Sequence, residues 1–221
     1  MDLFSLVEGP LLWVAFLIFL IGSLLRIVFF VSESRKKDRI VYEHLKWGYV
    51  LSTLVRWLLP LNKDIGKNPI FTIVAYIFHV CLIVVPIWFS GHISLWEESR
   101  FGWSWAALPD GLVDWMTLIF LATAIFLLLR RIFSKYIRFI STPADYLLLI
   151  VTALPFATGY FLTHGTLDGI SFFSENMQLL HMASAELMLI LIPFTKLSHY
   201  VLFFFSRGAT AVEFGRRQYY V

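Results

Sequence analysis

Apolar residues come in five long runs separated by short polar intervals, at about residues 10–31, 70–91, 112–130, 144–163 and 177–206. Each is near the ~20 residues that an α-helix needs to cross a hydrocarbon core of ~30 Å, and the last is long enough to span and protrude. The pattern predicts an all-α integral membrane protein, with residues 1–221 forming a single transmembrane domain of five helices in a bundle. Residues 32–69 make the one sizeable connection. Within it, Val41 to Leu61 sets Leu45, Leu51, Leu54, Val55, Leu58 and Leu59 among charged positions. That spacing reads as an amphipathic helix at the membrane interface, with Trp47, Tyr49 and Trp57 at headgroup depth. Such a helix either packs on the surface or docks a cytoplasmic partner. Trp96, Trp103 and Trp105 crowd the connection after the second run, where an aromatic belt accounts for them. No repeat of 20 to 50 residues is present, which argues against a solenoid or an inverted-repeat transporter.

Composition agrees: 59% of the 221 residues are apolar and 15% charged, against about 25% charged in a soluble domain. The placement of charge then orients the chain. Arg35, Lys36, Lys37, Arg39, Lys46, Arg56, Lys63 and Lys67 lie between runs one and two, Arg130, Arg131, Lys135 and Arg138 between runs three and four, and Arg207, Arg216 and Arg217 after run five. The other two connections hold Arg100 alone, beside Glu97, Glu98, Asp110, Asp168 and Glu175. Lys and Arg gather on the cytoplasmic side, so the N-terminus is expected outside and the C-terminus cytoplasmic. Asp2 and Glu8 precede the first run with no Lys or Arg. That is unlike a cleaved signal peptide, and the run is expected to stay as an anchor. The net charge of +3 is sorted by membrane side, not drawn into a basic stripe, so nucleic acid is not an expected partner. A single cysteine, Cys81, excludes an internal disulfide, a multi-cysteine zinc site and an iron–sulfur cluster held by this chain alone. It reads as a packing residue.

Histidine carries the candidate chemistry. Ionisable side chains inside a span are costly and by default mark a site. His79 lies in run two, His92 just past its end, and His181 and His199 near opposite ends of run five. Eighteen residues separate the last two, five whole turns of an unbroken helix, which would align them about 27 Å apart. Runs two and five cross in opposite senses, so His79 pairs with His199 on the cytoplasmic side and His92 with His181 on the outer side. Two imidazoles from facing helices are the axial set of a six-coordinate haem iron, and two such pairs would carry electrons across the bilayer. The plain alternative is that these imidazoles only hydrogen-bond to neighbours. One obstacle is that His79 and His92 are 13 residues apart, about 140° around an ideal helix. Pro86 can kink the span and Gly91 can end it. His164 is the substitute for His92.

These residues resemble the gamma-subunit family of respiratory nitrate reductase, the five-helix dihaem cytochrome b. Run five carries two histidines 18 apart and a Pro193, Phe194, Thr195, Lys196, His199 ending; run two carries Phe78, His79, Val80 and later Gly91, His92; run four carries Asp145, Tyr146 and Thr158, Gly159. The His79 to His92 interval is longer than that family's, and the first connection is enlarged. In both respects the chain looks more like the membrane cytochrome b subunits of heterodisulfide reductase-type and sulfate-reducer transmembrane redox complexes. The resemblance implies two haems b on the four histidines. It also implies a quinone or a periplasmic multihaem cytochrome c or iron–sulfur subunit outside, and a cytoplasmic iron–sulfur oxidoreductase subunit inside. Under it, Lys196 and Arg26 either pair with a haem propionate or snorkel to the interface. Glu186 lies about 7.5 Å deeper than His181 along the helix. It either relays protons for an outer quinol site or makes a structural hydrogen bond. Arg100, His164 and Asp168 are the outer-loop groups that either line that site or are simply the polar side chains an outer loop carries.

Two further classes stay open on the sequence. One is a haem-free membrane anchor for a soluble enzyme, docked through the first connection and the tail Arg207–Val221. The other is a small proton-coupled transporter using His and Glu. The chain has no nucleophile–base arrangement or Gly-rich phosphate loop of its own.

Overall fold

In a computed structural model of the protein, residues 2–59 and 68–217 are described, without the side chains of Ile40 and Arg216. Lys63 and Lys67, the end of the Val41–Leu61 segment and the last residues of the tail lie outside the described residues. The described residues are helical, with no strand. Helix α1 is Leu3–Lys37, α2 Trp47–Leu58, α3 Pro69–Trp88, α4 Ser90–Glu98, α5 Asp110–Phe133, α6 Lys135–Ile140, α7 Pro143–His164, α8 Ser171–Leu191 and α9 His199–Arg216. Among them α1, α3, α5 and α7 are long and apolar enough to cross a membrane, and α8 with the segment after it forms a fifth, bent candidate.

The chain divides into two compact units, Met1–Thr72 with Glu186–Val221, and Ile73–Ala185. In the second unit, the core is Phe78, Cys81 and Val85 of α3, Val113, Phe120 and Ala124 of α5, and Phe156 of α7. Phe120 is wholly buried, with ring centroids 4.7 Å from Phe78 and 3.9 Å from Phe156. Cys81 is therefore a packing residue of this core. Helix α7 starts at a capping box, Thr142 and Asp145, with Pro143 in its first turn, and ends at Gly165 in the left-handed region, φ 58°. Each suits the residue: Pro needs no donor at a helix start, and Gly bears positive φ without strain.

The second apolar run is not one helix. The chain breaks at Phe89, which takes extended backbone, and resumes as α4. The connection after α4 folds back onto the exposed end of α3: Leu108 N donates to the Trp88 carbonyl at 3.0 Å and Trp105 Nε1 to the Ile87 carbonyl at 2.9 Å. Trp105 thus satisfies a helix terminus, a role beyond the aromatic belt, while Trp96 and Trp103 stack at 5.8 Å.

In the first unit, α1 is one continuous helix that begins near the N-terminus, ahead of the expected start at residue 10. Pro10 is accommodated in a π-helical stretch, Val7–Leu11, where the wider turn tolerates its missing N–H. The helix is inside out. Ala15 and Ser23 are buried while Leu17, Leu20, Leu24, Leu25, Val28 and Phe29 are exposed, the distribution a lipid-facing helix needs. Helix α9 packs chiefly on α2 and also on α1. Ala211 and Val212 are buried on α9, and Gly215 lies so close to the Tyr49 ring that a Cβ would meet it at 2.5 Å. Arg207 covers the Trp57 ring at 3.7 Å. The other side of α2 exposes Trp47, Leu51, Val55 and Leu58, one apolar stripe at helical spacing.

The fifth run also departs from the expectation of one straight span. It is broken after Leu191, and α8 and the segment Lys196–Gly215 are bent by 74°. The 18-residue interval between His181 and His199 therefore does not measure five turns of one helix. Pro193 is the physical reason: it has no N–H to continue the ladder, and its ring obstructs the preceding turn.

Candidate functional site

His92 and His181 come together in the second unit, with ring centroids 6.0 Å apart and planes 7° from parallel. The break at Phe89 removes the 140° obstacle, because α4 starts a new helical phase. It also ends the α3 ladder, and the Pro86 carbonyl accepts a hydrogen bond from His92 Nδ1 at 2.9 Å. His181 Nδ1 donates at 2.9 Å to the Pro155 carbonyl of α7. The hydroxyl of Thr158 lies 3.3 Å from the same nitrogen and donates to the Leu154 carbonyl at 2.8 Å. A carbonyl can only accept, so both rings carry their proton on Nδ1 and keep a lone pair on Nε2. His92 follows the α3 span, and burial holds its imidazole below the ordinary value, in the neutral form that ligates a metal.

Gly159 makes the approach of His181 to α7 possible. A Cβ there would lie 3.0 Å from His181 Cε1 and 3.2 Å from Nδ1. The sequence holds Thr158 and Gly159 in view without a role for either. Their function depends on which ring packs against them, which no local pattern encodes.

His164 competes poorly with His92. Its Nδ1 donates to the Tyr160 carbonyl at 3.0 Å, its Nε2 faces the Asp114 carboxylate at 3.5 Å, and its ring stacks on Tyr160 at 4.2 Å. Both nitrogens are engaged. Asp114 is a partner that the sequence reading missed.

The other predicted pair is divided between the two units, and each member has its own setting. His79 Nδ1 donates to the Ala75 carbonyl at 2.7 Å, and its ring stands edge-on to Phe78 at 5.3 Å. His199 opens α9, its Nδ1 donating to the Lys196 carbonyl at 2.8 Å. It lines a cleft of about 510 Å³ with Lys196, Leu202, Phe203 and Arg207. Arg207 was counted only as a basic tail residue in the sequence. Arg26 Nε donates to the Pro193 carbonyl at 2.7 Å. Glu186 is 2% exposed, and among the described residues neither carboxyl oxygen has a hydrogen-bond partner. Arg100 lies in the exposed turn after α4.

Among the described residues no group of three or more His, Cys, Asp or Glu side chains converges as a metal site. A haem asks for two imidazoles. Axial bonds of about 2 Å to each ring, with about 1 Å more from nitrogen to ring centre, set centroids about 6 Å apart. Metal-bound histidines ordinarily donate their other N–H to a carbonyl or carboxylate. The rings of His92 and His181 match that centroid spacing and have Nδ1 bonded to a carbonyl in the same manner.

The helices define a class, that of all-helical proteins with four or five long apolar segments, as multi-pass membrane proteins have. A protein of Nitratidesulfovibrio vulgaris, described only as "Protein", is 34% identical over 217 residues, covering 96% of this chain and 93% of that one. The chain belongs to the family of that protein. No protein-family model matches the chain, and no solved structure matches it significantly.

Proposed function

We propose that the protein is the membrane cytochrome b subunit of a respiratory redox complex. It binds two bis-histidine haems b, one on His92 and His181 and one on His79 and His199. The observation that carries the reading is the parallel His92–His181 pair at 6.0 Å, each Nδ1 held by a proline carbonyl. A haem so ligated supplies one-electron transfer. The chain supplies the rest: the carbonyls fix tautomer and ring orientation and raise ligand basicity, Gly159 admits the His181 ring to α7, and the break at Phe89 aims His92. The second pair rests on the opposite sense of runs two and five, which sets His79 and His199 toward the same side.

The asymmetry of Lys and Arg supports an N-terminus outside and a His92–His181 haem on the outer side of the membrane, in this reading a prokaryotic inner membrane. Electrons then pass between an outer quinone, or a periplasmic multihaem cytochrome c or iron–sulfur subunit, and a cytoplasmic iron–sulfur oxidoreductase subunit. The exposed apolar stripe of α2 supports an interfacial position for that helix. The test is a dithionite-reduced minus air-oxidised spectrum of the detergent-purified chain, with pyridine haemochrome quantitation. Two haems per chain are expected. None, in folded protein expressed with haem available, refutes the reading and leaves a haem-free anchor.

A further inference from the structure

The break in the fifth apolar run leaves backbone groups that must be satisfied inside the protein, since irregular backbone at membrane depth is tolerated only where it finds partners. Two of its carbonyls are served locally. Leu191 O accepts from Phe194 N at 3.3 Å and Thr195 Oγ1 at 2.7 Å, and Thr195 O accepts from Ser198 N at 3.2 Å and Ser198 Oγ at 2.8 Å. The Pro193 carbonyl is served from α1, by Arg26 Nε at 2.7 Å, 167 residues away in sequence.

Arg26 is one of a row. Phe19, Gly22, Ser23 and Arg26 recur at helical spacing on one face of α1. Phe19 stacks on the Tyr200 ring at 5.7 Å, and Ser23 Oγ accepts from the Tyr200 hydroxyl at 2.9 Å. Gly22 lies against the Pro193 ring, where a Cβ would come within 2.7 Å of ring carbons. Proline is rigid, so this approach requires glycine. Pro193 and Tyr200 bracket His199. The row therefore grips the break on one side of the histidine and the first turn of α9 on the other.

We propose that Phe19, Gly22, Ser23 and Arg26 of α1 are positioning residues for His199, with Arg26 holding the Pro193 carbonyl so that α9 leaves the break in the direction that presents the imidazole. Arg26 is then neither a propionate partner nor a snorkelling anchor. The inference rests on the assignment of His199 as a ligand under the proposed function. It predicts that damage to this row reaches one haem and spares the other.

The test uses the full chain in detergent, comparing Arg26→Gln, Arg26→Lys and Tyr200→Phe by haem quantitation and redox titration. Arg26→Gln is expected to lose the haem at His199 or shift its midpoint, leaving the other unchanged. Arg26→Lys, whose ammonium can still donate to the carbonyl, restores it. Tyr200→Phe deletes only the hydrogen bond to Ser23, and is expected to shift the same midpoint at less risk to folding. Loss of both haems in these variants, or two haems with unchanged midpoints, overturns the proposal. A second readout needs no haem: spin labels at Leu24→Cys and Phe204→Cys, in a Cys81→Ser background, report the distance between α1 and α9. Broadening in Arg26→Gln sustains the clamp and an unchanged distribution overturns it. If the unmutated chain binds no haem, the functional reading fails and this distance alone judges the clamp.

Discussion

Gly159→Ala separates the placement of the His181 ring from the stability of the fold. The added Cβ would lie 3.0 Å from His181 Cε1 and 3.2 Å from Nδ1. Carbon atoms in contact settle at about 3.5–4.0 Å, so the ring must retreat by about half an ångström. Its Nδ1 stands 2.9 Å from the Pro155 carbonyl, and a retreat of that size takes the pair outside the 2.7–3.2 Å of a sound N–H···O bond. The lost bond costs about 0.5–1.5 kcal/mol and crowding about 1–3 kcal/mol. Replacing Gly by Ala inside a helix returns about 1 kcal/mol. The net cost to the fold is about 0.5–3.5 kcal/mol, while the ligand loses both its seat and the bond that fixes its tautomer. Thermal unfolding of the variant should fall by about 1–14 °C, at about 2–4 °C per kcal/mol in a chain of this size, with the transition still cooperative. Redox titration should show the His92–His181 haem depleted or shifted in midpoint and the other unaffected. Two haems with unmutated midpoints would refute the reasoning, because they would mean that the ring does not rest on α7.

The two candidates for the fourth ligand are separated by a pair of variants: His92→Ala should remove one haem, whereas His164→Ala should keep both, as read by pyridine haemochrome; the reverse result would transfer the ligand role to His164. His199→Ala should remove one haem and leave the His92–His181 spectrum intact, and loss of both or neither would argue against independent sites. Glu186 is 2% exposed and neither carboxyl oxygen is hydrogen-bonded among the described residues, and an unpaired buried polar group costs free energy. Glu186→Leu should therefore unfold no earlier than the unmutated chain, and a loss of several degrees in Tm would contradict an unpartnered carboxyl.

Much of the helical plan was legible because crossing a membrane imposes a local rule, some twenty apolar residues in a row. The runs at 112–130 and 144–163 fall inside α5 and α7. The start of α1 was not legible, because Pro10 reads as a boundary and is instead absorbed by a π-helical stretch. The meeting of His92 with His181 was legible from the opposite sense of two runs. Their hydrogen bonds were not, since the Pro86 and Pro155 carbonyls become acceptors only through a break in one helix and the approach of another. Arg26 shows the same limit. A cation near the end of an apolar run looks the same in sequence whether it reaches for water or for a carbonyl 167 positions away.

The two errors of spacing have one cause. Treating run five as unbroken made His181 and His199 appear aligned, and treating run two as unbroken made His79 and His92 appear opposed. In each run a proline stands six residues before the histidine, Pro86 before His92 and Pro193 before His199. An extended residue follows each proline within three positions, Phe89 with ψ 130° and Thr195 with ψ −174°, and a new helix begins. The histidine falls in or beside the first turn of that helix, and its Nδ1 donates to a nearby backbone carbonyl, Pro86 O before the break for His92 and Lys196 O after it for His199. Proline and histidine thus act together. The proline interrupts the ladder and leaves backbone acceptors in need of donors. At the first break the His92 imidazole serves one of them, Pro86 O, and in both histidines the Nδ1–H bond to a carbonyl fixes the tautomer and the direction of the ring. A helical-wheel argument fails at such a place because the break that serves the site is what resets the wheel.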